Sequence, residues 1–161
     1  MERLIELIKS NARMSAEDLG KVLGMTKEQV AARLEALERD GTILGYQAIV
    51  NLEKTGDRNG FVEAVIEVKI TPERDGGFDR LASRIAKFEE VQSCYLMSGG
   101  YDLLVIVQGS TLQSVARFIA EKLSTIKGVI STATHFRLKA YKENGVLLQR
   151  EEEPQRLPVA P

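Results

Sequence analysis

The chain has 161 residues, of which 43% are hydrophobic and 28% are charged, and its formal net charge is −1. This length suits one domain or two small ones, and the composition is that of an ordinary soluble protein. No apolar run approaches the roughly 20 residues that a membrane-spanning helix needs, and the charged, periodic N-terminus does not resemble a signal peptide. One cysteine, Cys94, excludes an internal disulfide and favours a reducing cytoplasm. With His135 as the single histidine, we expect no metal site and no cofactor.

Residues 2 to 40 have the spacing of three short helices. Ser15 is the predicted N-cap of the second, with Asp18 at the capping-box position, and Thr26 with Gln29 repeats that spacing at the start of the third. Gly24 ends the second helix, so the joint between the last two is very short. Two short helices joined by a tight turn containing glycine predict a helix-turn-helix, although any small three-helix bundle shares the pattern.

The chain then changes composition twice. Residues 47–52 are extended, which suits a wing or a strand leaving the domain, and residues 53–60 are polar and contain glycine. We therefore expect a helix-turn-helix DNA-binding domain over 1–52, a linker over 53–60, a second domain over 61–140, to which the family resemblance described below assigns ligand sensing and oligomerisation, and a tail over 141–161. In the tail, residues 146–148 could add an edge strand, and we expect disorder beyond Arg150.

Residues 61–140 alternate strands and helices in the order β-α-β-β-α-β. This order predicts a ferredoxin-like α+β fold, with two helices covering one face of an antiparallel sheet. The third strand, Leu103–Val107, is aliphatic at every position, so both of its faces should be buried. Because the sequence offers no third layer, we expect the second face to be covered by another subunit in a homodimer.

Two segments, MTKEQVAARLEALERDGTILGYQAIVNLEKTG and SGGYDLLVIV, carry motifs known from one protein family. Together they resemble the Lrp/AsnC, or feast/famine, family of transcription regulators, and the second is similar to that family's Gly-x-x-Asp element. The resemblance implies a winged helix-turn-helix joined to a ferredoxin-like domain that dimerises through its sheet. It also implies further assembly, commonly into octamers, and an amino acid effector bound between dimers that changes the binding of double-stranded DNA.

The sequence departs from the family pattern in three respects. Its first helix begins almost at Met1, so we expect no DNA-contacting arm before it, and its C-terminal tail is long and acidic. Residues 1–50 carry seven Lys or Arg against eight Asp or Glu, whereas a DNA-binding module usually has a basic surface. One such domain should bind DNA weakly, so we expect specific binding to need the dimer and tandem sites.

The candidate DNA contacts are the exposed side chains of the third helix and the two N-caps. Gln can pair with adenine and Arg or Lys with guanine in the major groove, while the amides at a capped helix start can hold phosphate. The candidates are Ser15, Thr26, Lys27, Gln29, Ala32 and Arg33. Lys27 and Gln29 could instead be ordinary solvated surface, and Arg33 could pair with Glu38 or Asp18.

The candidate effector site surrounds the entry to the third strand. Asp102 is placed to bind an ammonium group, and the amides near Gly99 and Gly100 could take a carboxylate. A plain hairpin turn and a turn-stabilising hydrogen bond from Asp102 are the alternatives. The full set is Ser98, Gly99, Gly100, Tyr101 and Asp102, with Thr132 and Thr134 completing the pocket across an interface.

Two other functions remain open on the sequence. Some proteins similar to this family are tetrapyrrole decarboxylases, but that chemistry would need several His and Arg residues in a large pocket, so we expect no enzyme activity. The near-neutral charge of residues 1–50 would also suit a ligand-binding or oligomerising module whose helix-turn-helix is degenerate.

Overall fold

The computed structural model describes residues 3–51, 54, 61–71 and 77–148. Contacts divide the chain between Val50 and Asn51 into two compact units. Most of the predicted linker, and the predicted disorder beyond Arg150, lie outside the described residues. No helix in these described ranges is long and apolar enough to cross a membrane.

The first unit contains the three predicted helices. They are α1 (Arg3–Ser10), α2 (Ala16–Leu23) and α3 (Lys27–Arg39). Apolar residues recur at helical spacing along each of them, which turns one stripe of each helix inward. The resulting core is small, and its buried members are Leu4, Leu19, Val30 and Leu37.

Side-chain caps fix where α2 and α3 begin. Thr26 and Gln29 form the predicted capping box, because the Thr26 hydroxyl oxygen accepts from the Gln29 N–H (3.2 Å) and the Gln29 carboxamide oxygen accepts from the Thr26 N–H (2.9 Å). At α2, Ser15 Oγ accepts from the Asp18 N–H at 3.0 Å. The same hydroxyl donates to Asp18 Oδ2 at 2.6 Å. The Asp18 carboxylate is thus bound to the Ser15 side chain, in place of the backbone N–H that a capping box would use.

The turn between α2 and α3 depends on two glycines. Gly24 adopts a left-handed conformation with φ 69°, which glycine tolerates best, and its N–H donates to the Gly20 carbonyl. Met25 N–H also donates to that carbonyl, at 2.9 Å. A Cβ on Gly20 would lie 2.5 Å from the Met25 carbonyl oxygen. Gly20 lies inside a helix and has no turn signal in the sequence, yet its lack of a side chain allows the turn to close on α2.

The segment after α3 forms no strand over its described residues, 43–51. The prediction of a strand at 47–52 is therefore wrong for residues 47–51, and the alternative of a short wing stays a prediction. Ile43 N–H donates to the Leu37 carbonyl (2.9 Å), and the Tyr46 hydroxyl donates to Glu38 (2.8 Å). A segment becomes a strand only when a neighbouring strand pairs with its backbone, and residues 3–50 of this unit contain no strand that could do so.

The second unit has the predicted ferredoxin-like order. The strands are β1 (Val62–Ile70), β2 (Val91–Leu96), β3 (Leu103–Gly109) and β4 (Val129–Phe136), and the helices are α4 (Asp79–Ile85) and α5 (Leu112–Phe118). A π-helical turn, Ile119–Leu123, continues α5. The sheet is antiparallel in the order β2-β3-β1-β4.

The two faces of this sheet differ. Alternate residues of β1 and β3, such as Ile66 and its neighbour Val105, are fully buried in the core with α4 and α5. The other set forms what we call the open face, where Val65 lies beside Ile106 and Leu104 is half-buried. Polar contacts lie along its β1–β4 side: Glu67 Oε1 is 3.4 Å from His135 Nε2, and Glu63 forms an ion pair with Arg137 at 2.9 Å.

A short hairpin follows the sheet. Its strands are β5 (Lys142–Glu143) and β6 (Val146–Leu147), joined by Asn144 and Gly145 at positive φ. The segment predicted as an edge strand therefore pairs with β5 and not with the four-stranded sheet. Asn51 Nδ2 donates to the Leu148 carbonyl at 2.9 Å, which ties the end of the hairpin to the start of this unit.

Candidate functional site

The exposed face of α3 carries the predicted DNA contacts. Lys27, Gln29, Ala32 and Arg33 are all exposed, while Val30 and Leu37 are buried on the opposite side. This separation follows from the 3.6-residue period of the helix. The structure thus leaves this face available, and contact with DNA stays a prediction.

Two of these residues already have other interactions. The Gln29 carboxamide oxygen is held by the Thr26 N–H in the capping box, so the Gln29 NH₂ group is the part left for a base edge. Arg33 acts on Asp40, whose pKa is lowered chiefly by hydrogen bonds from the Thr42 side chain and backbone and less by Arg33 and Arg39. Gln29 is therefore structural whether or not it reads DNA.

The two N-caps lie at the starts of α2 and α3. The hydroxyl oxygens of Ser15 and Thr26 each accept from a backbone N–H three residues on. A phosphate at either helix start would therefore use the amides that these caps leave unbound. Lys21, in the last turn of α2, lies 2.8 Å from Glu17 in the first turn, so this cation is partly neutralised.

Asp102 joins the β2–β3 turn to β1. Its Oδ2 accepts from the Ile70 N–H at 2.8 Å, and its own N–H donates to the Val68 carbonyl at 3.0 Å. The Met97 N–H donates to the Asp102 carbonyl at 2.8 Å, which closes the turn. The alternative of a structural hydrogen bond is therefore confirmed for Asp102. This hydrogen bond does not prevent the same carboxylate from binding a ligand, because a carboxylate can accept about four hydrogen bonds.

The rest of the predicted effector loop is largely solvent-facing. Ser98, Gly99 and Gly100 are exposed, and Tyr101 is half-buried. Gly99 has φ 139°, a conformation that residues with a side chain rarely adopt, whereas Gly100 has no such requirement. Gly99 therefore serves the turn, and Gly100 remains open to approach by a ligand.

Thr132 and Asp102 flank Val68 from opposite sides of β1, and Thr134 lies two residues farther along β4. Thr132 lies opposite Val68 on β4, and Asp102 binds Val68 from the β3 side. Thr134 lies opposite Ile66. Both threonines are half-buried. They lie on the helix-covered face of the sheet, because their partners on β1, Val68 and Ile66, belong to the core. Asp102 and Thr132 therefore share one end of the sheet, although a strand separates them.

Cys94 and His135 have different surroundings. The Cys94 thiol is half-buried, with Sγ 3.9 Å from the Ala82 carbonyl oxygen, and burial raises its pKa. The His135 side chain is 61% exposed and lies 3.4 Å from Glu67. Across the described part of the chain, no group of three or more His, Cys, Asp or Glu residues could hold a metal ion.

Both units match family models. The AsnC-type helix-turn-helix domain matches residues 2–38, and the Lrp/AsnC ligand binding domain matches residues 63–147. These matches cover α1 to α3 and the sheet with its hairpin. The match over residues 2–38 favours the predicted helix-turn-helix over the alternative of a three-helix bundle with no such motif.

Two similar proteins are named as transcriptional regulators. The chain is 40% identical, over 98% of its length and 95% of the relative's, to an uncharacterized HTH-type transcriptional regulator, YugG, of Bacillus subtilis. It is 30% identical to a proline dehydrogenase transcriptional activator of Rhizobium radiobacter, with 89% and 90% of the two chains covered.

Solved structures share the fold. The structure of Escherichia coli AsnC aligns with a TM-score of 0.63 at 22% identity, covering 87% of this chain and 91% of that one. A Neisseria meningitidis transcriptional regulator in complex with L-methionine aligns with a TM-score of 0.66 at 24% identity, covering 87% and 88%. With its helix-turn-helix and its ligand-binding domain both matched, this chain belongs to the Lrp/AsnC family of transcriptional regulators.

Proposed function

We propose that this regulator binds operator DNA as a homodimer or larger assembly and that an amino acid bound beside Asp102 changes this binding. The observation that carries the proposal is the pairing of an exposed α3 face with a ligand-binding domain in one chain. The Neisseria relative holds L-methionine, which supports an amino acid as the effector class. A regulator works where the DNA is, so we expect it in the cytoplasm.

On the DNA side, α3 enters the major groove with its first turns toward the base edges. Lys27, Arg33 and the NH₂ group of Gln29 are the proposed base contacts, and Ala32 allows a close approach. The amides at the starts of α2 and α3, next to Ser15 and Thr26, hold phosphates. Because residues 1–50 are near neutral, one such unit binds weakly, and linked units raise the affinity.

The open face is the proposed dimer interface. Val65, Leu104 and Ile106 form an apolar stripe on it, half-buried in the single chain. Tyr95 extends the stripe, because it lies opposite Leu104 and is 51% exposed. Two copies facing each other would bury these side chains, and the acidic and basic groups beside them would set the alignment. Further assembly, such as an octamer, would bring effector loops of different dimers together.

At the effector site, Asp102 is proposed to bind the ammonium group through the hydrogen-bonding capacity that the Ile70 N–H leaves free. Backbone amides at Gly99 and Gly100 take the carboxylate, with Ser98 at the rim and Tyr101 packing on the ligand or the dimer. Thr132 and Thr134 complete the pocket from a neighbouring subunit. The exposure of residues 98–100 supports a site that closes only when subunits meet.

A ligand-binding module with a degenerate helix-turn-helix is the second candidate, favoured by the charge balance of residues 1–50. It predicts that an amino acid still binds while specific DNA binding is absent. Enzymatic activity is not proposed, because the relatives are named as regulators.

The test uses the full chain to select binding sites from a random pool of double-stranded DNA. Fluorescence anisotropy then compares a selected duplex with a scrambled one, before and after each of the twenty amino acids is added. We expect enrichment of a sequence and a change in its affinity with one or a few amino acids. Failure to enrich any sequence, with an amino acid still bound, would establish the second candidate.

A fragment of residues 1–52 completes this test. We expect it to bind the selected duplex at least tenfold more weakly than the full chain, because it lacks the linkage between units. Equal affinity would show that the dimer is not needed.

A further inference from the structure

A stripe of exposed side chains runs along the side of α3 that faces away from the core. The side chains of α3 that pack in the core of the first unit are Val30, Leu34 and Leu37. The 3.6-residue period of the helix places four exposed residues on the opposite side, which we call the outward stripe: Glu28, Ala32, Glu35 and Arg39. Glu28 is the second residue of α3 and lies nearest to the helix start, where a recognition helix meets base edges.

The Glu28 carboxylate can accept further hydrogen bonds. Hydrogen bonds from its own backbone N–H and from the Thr26 hydroxyl lower the pKa of Glu28, with a smaller contribution from the Lys27 charge. The group is therefore ionised at neutral pH, and an ionised carboxylate is an acceptor only. Because a carboxylate can accept about four hydrogen bonds, these contacts leave room for a donor from outside the chain.

The rest of the outward stripe lets the start of α3 come close to a base. Ala32 lies one turn after Glu28 on the same side of the helix, and its methyl group is too short to hold the helix away from a groove. Glu35 lies about 10 Å farther along the axis, because seven residues each add 1.5 Å. Glu28 is therefore the acid of the outward stripe that lies in the first turn of α3.

The charges beside the outward stripe reduce the repulsion between Glu28 and DNA phosphates. Lys27 and Arg33 are exposed, and the helical period places them on opposite sides of the stripe. When α3 lies in a groove, these two cations are directed toward the two phosphate-bearing strands. Glu28 then faces the groove floor, where a hydrogen-bond donor is needed to replace its lost hydration.

The four bases differ in what they offer a carboxylate in the major groove. Guanine presents two acceptors, thymine presents one, and adenine presents an acceptor beside its N6 amino donor. Cytosine presents its N4 amino donor without an acceptor. An acceptor close to a carboxylate repels it, so the other three bases are disfavoured at the same time as cytosine is favoured. Cytosine is therefore the base that suits Glu28.

We propose that Glu28 is a specificity-determining residue, which accepts a hydrogen bond from the N4 amino group of a cytosine in the operator. The inference rests on the proposed binding of α3 in the major groove and goes beyond it by naming a base. It requires a C·G pair at one fixed position of the site that each α3 contacts.

Selection of binding sites from random double-stranded DNA tests the proposal, with the full-length wild type and two variants. Glu28→Gln keeps the length of the side chain and replaces the carboxylate with a carboxamide, which pairs with adenine. Glu6→Gln is the matched control, because it removes the same charge from an exposed residue in the first turn of α1. Circular dichroism verifies that both variants are folded.

Fluorescence anisotropy then measures each protein on four duplexes that differ only at the selected C·G pair. Each affinity is divided by the affinity for a scrambled duplex, because removal of a negative charge strengthens binding to every sequence. We expect the wild type and Glu6→Gln to favour cytosine over each other base by at least about fivefold. Glu28→Gln should lose this preference and favour adenine at the same position.

Two results would overturn the inference, and they can be distinguished from each other. If the wild type enriches a sequence and Glu28→Gln keeps the same base preferences, Glu28 acts only as a favourable charge at the helix start, and the proposed function stands. If the wild type enriches no sequence, the inference and the proposed DNA binding both fail.

Discussion

The carboxylate of Asp102 accepts a hydrogen bond from the backbone N–H of Ile70 at 2.8 Å, across 32 residues of sequence. The contact holds the entry of β3 against the end of β1, in the loop that matches the family's Gly-x-x-Asp element. One residue can thus fix the turn and present charge to a ligand. These two roles make different demands, because the Ile70 N–H needs an acceptor whereas an ammonium group needs a negative charge.

Substitutions at Asp102 separate the two roles. Asp102→Asn keeps an oxygen for the Ile70 N–H and removes the charge, so it should retain stability and lose the response to an amino acid. Asp102→Ala leaves the partly buried N–H without its acceptor and should cost about 1–3 kcal/mol of unfolding free energy. Urea denaturation and DNA anisotropy measure the two effects. If the Asn variant responds normally, the charge of Asp102 has no role in binding the effector.

Gln29 can be separated into a capping and a base-reading role in the same way. Gln29→Glu keeps a side-chain acceptor for the Thr26 N–H and should leave stability unchanged. Gln29→Ala removes this hydrogen bond and should lower the free energy of unfolding by about 0.5–1.5 kcal/mol. If the NH₂ group reads a base, Gln29→Glu also reduces the ratio of specific to non-specific DNA affinity. The ratio matters because a new negative charge weakens binding to every sequence. An unchanged ratio would limit Gln29 to the cap.

Gly20 should tolerate no side chain. Gly20→Ala would place a Cβ 2.5 Å from the Met25 carbonyl oxygen and force the turn away from α2. We expect a loss of about 1–3 kcal/mol in the first unit, together with weaker DNA binding. Gly45→Ala is the control, because a Cβ there meets nothing within 4 Å. Thermal denaturation of both variants checks this, and similar melting temperatures would refute the close approach at Gly20.

The open face should govern assembly. Ile106→Lys places a charge in the middle of the apolar stripe, next to Val65, so the dimer would have to bury an unpaired ammonium group. Light scattering should show the mass of a single chain for this variant. Leu112→Lys is the control, since Leu112 is 56% exposed on the helix layer. A dimer that persists in Ile106→Lys would place the interface elsewhere.

The Cys94 thiol should react slowly in the native protein. Burial raises its pKa, so less thiolate is present at a given pH than in the unfolded chain. Alkylation by iodoacetamide at pH 8 should be about tenfold slower in the native protein than in urea. The raised pKa also makes stability depend on pH. The contribution of Cys94 to the free energy of unfolding is complete below the pKa of the unfolded chain, about 8.5, and is lost as the pH rises through the native pKa. Native labelling as fast as that in urea would contradict the burial.

Local patterns in the sequence were enough to predict the elements. The helix starts at Ser15 and Thr26 were predictable because a cap involves side chains only three residues apart. The order of strands and helices along the chain followed from hydrophobic periods of two and 3.6 residues, which can be seen without knowledge of distant contacts. The exposed side of α3 followed from the same period.

Other features depend on residues far apart in the chain. Whether residues 47–51 form a strand depends on a pairing partner, which their own pattern cannot reveal. The same holds for residues 146–147, which pair with the neighbouring hairpin strand and not with the sheet. The closeness of Gly20 to Met25 is likewise visible only when α2 and the turn are packed together.

The two-part organisation, most of the elements and the family could be predicted from the amino-acid sequence, because they depend on local spacing and on motifs along the chain. The hydrogen bond between Asp102 and Ile70, and the position of Thr132 at the same end of the sheet, became visible only in the folded unit. Each of these joins residues from separate strands or helices, and their distances are fixed by the packing of the whole unit.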